Sequence, residues 1–193
     1  MLEPAQLHMD AITKEMVKRF YDLDYQYYDS GTGRYVYWTE SGESEQNKRF
    51  FASVDGEGNL LGIISYRFDS ESGSCFNFGI MAFQKFSRTY ICDIKQVVCD
   101  IFFKYHFKRM EWLCYDDNPA AKGYDRFIKK YGGRKAGHLR QASKLLDGKF
   151  HDCTIYEILV SDLLLGEDRI PKLLRDVRNQ NKSRDGDFNE VQR

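Results

Sequence analysis

The chain has 193 residues, of which 29 are Lys or Arg and 29 are Asp or Glu, so its net charge is near zero. That length fits one domain with a single sizeable core. The balanced charge excludes both the basic excess of a nucleic-acid binder and the acidic excess of a solvating tail. With 15% aromatic residues the composition is that of a packed chain, not a disordered one.

The start, Met1-Leu2-Glu3-Pro4, lacks the basic and apolar regions of a signal peptide. No apolar stretch approaches the ~18 residues of a membrane span. No membrane partner and no nucleic acid are expected, and the expected address is the cytoplasm. Apolar residues at Ile12, Met16, Val17, Phe20 and Leu23 predict an amphipathic helix, capped by Asp10 or Thr13. Tyr25, Tyr27, Tyr28, Tyr35, Tyr37 and Trp38, broken by Ser30-Gly31-Thr32-Gly33, read as either strand or loop. Glu40 to Lys48 is polar and reads as a surface loop.

Arg49–Val54 and Leu60–Phe68 are strand-like, and Asp55-Gly56-Glu57-Gly58-Asn59 between them has turn chemistry. Cys75–Phe83 continues the meander as a third strand. Ile91, Ile94, Val97, Val98, Ile101, Phe102 and Tyr105 then follow a 3.6-residue period. Arg109–Tyr115 is a compact strand. Asn118 suits the cap of the next helix and Pro119 its first turn. Its buried stripe is Ala120, Ala121, Tyr124, Phe127, Ile128 and Tyr131, and Gly132-Gly133 ends it.

Arg134–Leu146 and Lys149–Val160 form a final hairpin around Asp147-Gly148. A short helix holding Ile170, Leu173, Leu174 and Val177 follows, with a frayed polar tail from Asn179. The expected division is one domain over residues 1–165, then a C-terminal helix and tail over 166–193. Strands interleaved with helices predict an α/β (α+β) fold, with a mixed, mostly antiparallel sheet and helices on both faces. The five cysteines are scattered without a C-x-x-C pair or a histidine at ligand spacing, so neither a metal site nor a disulfide frame is expected.

The second half resembles the GNAT N-acetyltransferases, in the branch with ribosomal-protein N-terminal and spermidine-type enzymes. The resemblance spans roughly Phe50 to Leu163. It is carried in order by Asn118 and Ala121 at a helix start, Gly132 at its end, then Gly137, Leu139 and Arg140. Gly148, Phe150, Asp152 and Tyr156 complete it. It implies a sheet with a V-shaped splay, acetyl-CoA as co-substrate, and direct attack by a primary amine of a small molecule or a protein N-terminus. It also leaves room for a homodimer, for a longer acyl donor or an aminoacyl donor, and for a non-catalytic CoA-binding or protein-interaction module.

The resemblance assigns the donor arm to Ile80, Met81, Ala82 and Phe83, and the pyrophosphate to the loop Ser87, Arg88, Thr89, Tyr90 and Ile91 at a helix start. It also assigns Asn118, Ala121 and Tyr124, on the opposite side, to binding the cofactor. The family loop reads [QR]-x-x-G-x-[GA], whereas this chain places Tyr90 and Cys92 at both glycine positions. Arg88 is the expected compensating phosphate contact, and Thr89 is otherwise read as the helix cap. Tyr124 is the expected general acid. Glu111, or Asn77, is the candidate general base, although Glu111 also reads as an edge carboxylate. Arg140 and Asp152 read as a cross-strand ion pair. Most of His8, His106, His138 and His151 are expected at the surface or at strand edges, with His138 and His151 on facing strands of the final hairpin.

Overall fold

The computed structural model describes residues 1–28, 47–84 and 87–190, with side chains described to residue 181. Tyr35, Tyr37, Trp38 and the Ser30–Gly33 break lie outside the described residues. Among the described residues seven strands form one sheet: β1 (Leu2–Pro4), β2 (Lys48–Val54), β3 (Leu60–Asp69), β4 (Ser74–Ala82), β5 (Arg109–Tyr115), β6 (Arg134–Lys144) and β7 (Phe150–Leu159). Their order is β1-β2-β3-β4-β5-β7-β6. Every neighbouring pair is antiparallel except β4 and β5, which run parallel.

That parallel pair shapes the molecule. β4 and β5 are in register only at Ser74↔Arg109 and Cys75↔Met110. Beyond those residues the strands diverge. An extra residue in β4 opposite Tyr66, with Asn77 at a φ of 51°, bends the strand just past the last paired residue. The result is the expected splay, which opens toward the C-terminal ends of both strands.

Among the described residues four helices cover the sheet: α1 (Met9–Lys18), α2 (Arg88–Cys99), α3 (Ala121–Tyr131) and α4 (Lys172–Glu190). One core lies between the sheet and α2, α3 and α4, around Ile64, Tyr66, Val97, Ile101, Trp112 and Tyr156. A smaller one joins Ile12 and Met16 of α1 to Phe50, Ala52, Ile63, Met81 and Phe83. Burying side chains such as Ile12 and Met16 stabilises the fold by about 1.5–3 kcal/mol each. Leu173 and Val177 of α4 reach the larger core, so this helix packs on the body of the domain. Among the described residues no helix is long and apolar enough to cross a membrane.

Several boundaries differ from the sequence expectation. β1 is too short, and too close to Pro4, to show a strand pattern. The first helix stops at Lys18, five residues before Leu23, and it begins at Met9 with no side-chain cap from Asp10 or Thr13. The backbone of α4 runs to Glu190, through the polar stretch from Asn179. The turn between β6 and β7 is wider than two residues. Leu145 is buried there and exchanges backbone bonds with Gly148 and Lys149. Arg140 and Asp152 form no ion pair among the described residues. A bulge between Leu139 and Ser143 displaces Arg140, and Asp152 instead accepts the Gln141 N–H at 2.7 Å.

Candidate active site

The gap between β4 and β5 holds two adjoining cavities. The inner one, of about 160 Å³, is lined by Ile80, Met81 and Ala82 on β4 and by Asn118 and Ala120 before α3. Asp24, Tyr25, Tyr27 and Tyr28 roof it. The outer one, of about 730 Å³, adds Lys18, Arg19, Asp22, Phe83, Gln84 and Pro119.

Strand alternation decides which peptide groups of β4 face the gap. Phe83 N–H bonds back to the Leu61 carbonyl of β3 at 2.9 Å. The alternate residues Ile80 and Ala82 therefore turn their peptide groups outward. The Ala82 carbonyl accepts the Tyr25 hydroxyl at 3.0 Å. A short length of strand edge is thus left for an extended ligand, which is the geometry of strand addition.

The roof is fixed by aromatic contacts. The Arg19 guanidinium lies 4.9 Å from the Tyr25 ring and 5.0 Å from the Phe83 ring, and it donates to the Phe83 carbonyl at 2.9 Å. Glu15 pairs with the same guanidinium. The Tyr28 ring packs 3.4 Å from where a Cβ on Gly79 would stand, so it lies against β4.

α2 begins four residues after Gln84, which lines the outer cavity, and none of its residues lines either cavity. Ser87, not Thr89, caps the helix, its hydroxyl accepting the Tyr90 N–H at 3.1 Å. Tyr90, at the position where a glycine is expected, does not turn toward the ligand side. Its side chain is 5% exposed and dives under the helix, donating its hydroxyl to the Ile63 carbonyl at 2.6 Å. Space for the ring exists because β3 carries Gly62. A Cβ there would stand 2.7 Å from the Tyr90 ring and 2.5 Å from the Met81 carbonyl. The missing glycine of the loop is thus matched by a glycine on the strand beneath it.

Tyr90 also sets the phase of α2. Tyr90, Asp93, Val97 and Val98 are buried, while Ile91 is 49% exposed, contrary to the expected stripe. Buried Asp93 accepts the Ser53 hydroxyl at 2.7 Å, a second tie between helix and sheet. Arg88 is exposed in the first turn and makes no ion pair among the described residues. A helix start with a free guanidinium and first-turn amides is suited to an anion.

On the opposite bank α3 begins at Ala121, three residues later than Asn118. The Asn118 side chain accepts the Ala120 N–H at 2.9 Å, and its carbonyl accepts the Ala121 N–H at 2.9 Å. These tight turns place Asn118, Pro119 and Ala120 along the gap, while Ala121 packs on the core. Tyr124 lies one turn further on, its ring 5.5 Å from Trp112 and 5.7 Å from Tyr156. Burial raises the pKa of its phenol, with Cys114 and Tyr156 adding to the effect. Its hydroxyl therefore stays protonated at neutral pH, and Tyr124 lines neither cavity.

Glu111 lines neither cavity. It faces Glu157 across the β5–β7 ladder and pairs with Arg109, which also bonds Glu157 at 2.7 Å. Arg134 completes the group, 2.9 Å from Glu157. These guanidiniums hold the Glu157 carboxyl below its ordinary range. Asn77 is exposed at the β4 bulge. Burial pushes the thiols of Cys75, Cys99 and Cys114 up to about 12 and that of Cys153 up to about 11, so none offers a thiolate nucleophile. Nothing in the sequence marks Arg19, Asp22 or Asp24 as site residues, since each reaches the gap only through the turn after α1.

A mixed seven-stranded sheet with one splayed parallel pair, helices on both faces and a helix start at the mouth of the splay defines the GNAT acetyltransferase fold. No family model matches the chain, and no curated protein does. Solved structures do match. A chimera of the Vibrio cholerae spermidine N-acetyltransferase SpeG and hSSAT aligns over 83% of this chain and 96% of its own, with 18% identity and a TM-score of 0.63. A GCN5-related N-acetyltransferase from Brucella melitensis aligns over 92% and 80%, with 20% identity and a TM-score of 0.65. The chain shares their fold.

Proposed function

We propose that this protein is an N-acetyltransferase that moves the acetyl group of acetyl-CoA to a primary amine. The observation that carries this reading is the β4 edge at Ile80–Ala82, which pairs with no strand on that side among the described residues and faces the Asn118–Ala120 turn across a cavity roofed by tyrosines. The pantetheine arm extends along that edge, with its amides bonded to outward peptide groups. The pyrophosphate rests at the start of α2, bonded by first-turn amides and by Arg88. The inward course of Tyr90 leaves that surface clear. The five free cysteines suit a reducing compartment such as the cytoplasm.

In the reaction the neutral amine attacks the thioester carbonyl carbon. The tetrahedral species collapses, the C–S bond breaks, and the departing thiolate takes a proton from the Tyr124 hydroxyl. The proton lost by the amine leaves to solvent through the outer cavity. Glu111, held by Arg109, keeps the strand end in place and takes no proton. Asp24 and the roof tyrosines give the acceptor side the carboxylate and aromatic faces that favour an ammonium-bearing ligand.

Titration with acetyl-CoA, followed by a CoA-release assay over an amine panel, tests the reading. Saturable binding with release in the presence of an amine supports it. Absence of binding at millimolar acetyl-CoA sinks it. Binding with no release across the panel replaces it with the non-catalytic CoA-binding module.

A further inference from the structure

His151 is expected on a strand of the final hairpin, and there it is 7% exposed, wedged beside the gap. Its Nδ1 lies 2.7 Å from Asp117 Oδ2 and its Nε2 lies 3.0 Å from Asp147 Oδ1. Asp117 immediately precedes Asn118, which lines the inner cavity. Asp147 sits on the β6–β7 turn, and its backbone N–H donates to the buried Gln26 Oε1 at 3.1 Å. Gln26 is followed by Tyr27, a roof residue whose ring stands edge-on to the imidazole at 6.2 Å. The imidazole therefore joins three separate pieces of chain: the floor before α3, the final hairpin and the roof.

We propose that His151 positions the roof of the gap. As an imidazolium it donates to Asp117 and Asp147 together and clamps the 23–28 segment over the cavity, and as a neutral imidazole it holds only one of them and loosens that segment. The chemistry follows from donor count. An imidazolium has two N–H donors, whereas a neutral ring has one donor and one lone pair, and a lone pair repels a carboxylate. The titratable groups facing His151 are Asp117 before α3, Asp147 on the hairpin turn, Tyr27 of the roof and Tyr115 of β5, with Lys149 beside Asp147.

The hydrogen bond to Asp147 raises the His151 pKa from its ordinary 6.5, burial opposes this, and the bond to Asp117 adds to it. A pKa raised on folding gives a contribution that is complete below 6.5 and is lost as pH rises through the raised value. The clamp is therefore shut in mildly acid solution and opens as the pH climbs. The inference rests on the acetyl-transfer reading only in naming the gap as the reaction site.

The test uses the full chain. The His151 ring is titrated by NMR, and amide-exchange protection over residues 23–28, corrected for intrinsic rates, is followed across the same pH range. Protection is expected to fall about tenfold through the His151 midpoint, the equivalent of one lost charge-assisted hydrogen bond. Asp147→Asn should move both midpoints down together, and His151→Gln should flatten the response. Should His151→Gln fail to fold, Asp147→Asn still decides. Protection that ignores the titration of His151, or a midpoint unmoved in Asp147→Asn, overturns the clamp. In transfer assays the acceptor KM should rise through the same midpoint with kcat changing less. A pH-dependent roof without any acetyl transfer would refute the enzyme reading and keep the clamp. Transfer with a pH-independent roof would do the reverse.

Discussion

The helices α2 and α3 start on opposite banks of one gap, and they start differently. At α2 the sequence departs furthest from the family pattern, with Tyr90 in place of glycine. The helix nonetheless begins with a well-made cap, and the bulky side chain is buried beneath it. At α3 the sequence matches the pattern at Asn118 and Ala121. Yet there the helix starts three residues late and Asn118 serves a turn instead. The identity of a residue in a loop therefore matters less than the direction its side chain takes. At Tyr90 that direction is set by Gly62, 28 positions earlier on another strand.

Breaking the partnership of Gly62 and Tyr90 should have the largest effect. In Gly62→Ala the new methyl meets both the Tyr90 ring and the Met81 carbonyl. Overpacking of this kind costs about 3 kcal/mol. Urea unfolding should show a lower midpoint at unchanged slope. Adding Tyr90→Gly should recover only part of the loss, because the clash with the strand backbone remains. Full recovery would mean the ring alone makes the site tight, and no loss in the single variant would mean that Tyr90 does not lie under α2.

Tyr124→Phe comes next and probes the other bank. The ring keeps its contacts with Trp112 and Tyr156, so stability should hardly change. If the hydroxyl protonates the departing thiolate, kcat should fall about 100-fold. A variant with undiminished kcat would remove Tyr124 from the chemistry.

Arg88→Ala returns to α2. An exposed guanidinium bonded to phosphate contributes about 1.5–3 kcal/mol where the bond is charge-assisted, with solvent exposure favouring the low end. Acetyl-CoA affinity should drop roughly tenfold, the equivalent of about 1.4 kcal/mol, and less so in high salt. Unchanged affinity would leave the anion to the helix amides alone.

The contrast between the banks also marks how far the sequence is legible. Strands with clear alternation and turn chemistry appear where expected, β5 to the residue. The splay follows from strand order, which the resemblance supplies. What escapes is whatever depends on a distant partner. The apolar period of α2 places Ile94, Val97, Val98, Ile101 and Phe102 against the core as expected and fails at its ends, where Tyr105 is exposed and Ile91 is exposed while Tyr90 finds room above Gly62. The His151 cluster is invisible for the same reason. Gln26, Asp117, Asp147 and His151 carry no shared spacing and meet only when the hairpin closes on the gap. Glu111 looks like a base from its strand position, but its neighbours Arg109 and Glu157 become a charge network only across the ladder.

The smallest effect tests the comparison most directly. Ser87→Ala removes a side-chain cap whose loss costs about 1 kcal/mol of stability. Because the same helix start is the proposed anion site, acetyl-CoA affinity should fall with it as the first turn frays. Asn118→Ala also removes one hydrogen bond, to Ala120, but the α-helical ladder begins only when Tyr124 N–H bonds to the Ala120 carbonyl at 3.1 Å. Its stability loss should be smaller than that of Ser87→Ala. Equal losses in thermal unfolding would mean that both residues cap their helices alike, and the asymmetry between the two banks would then lie in Tyr90 alone.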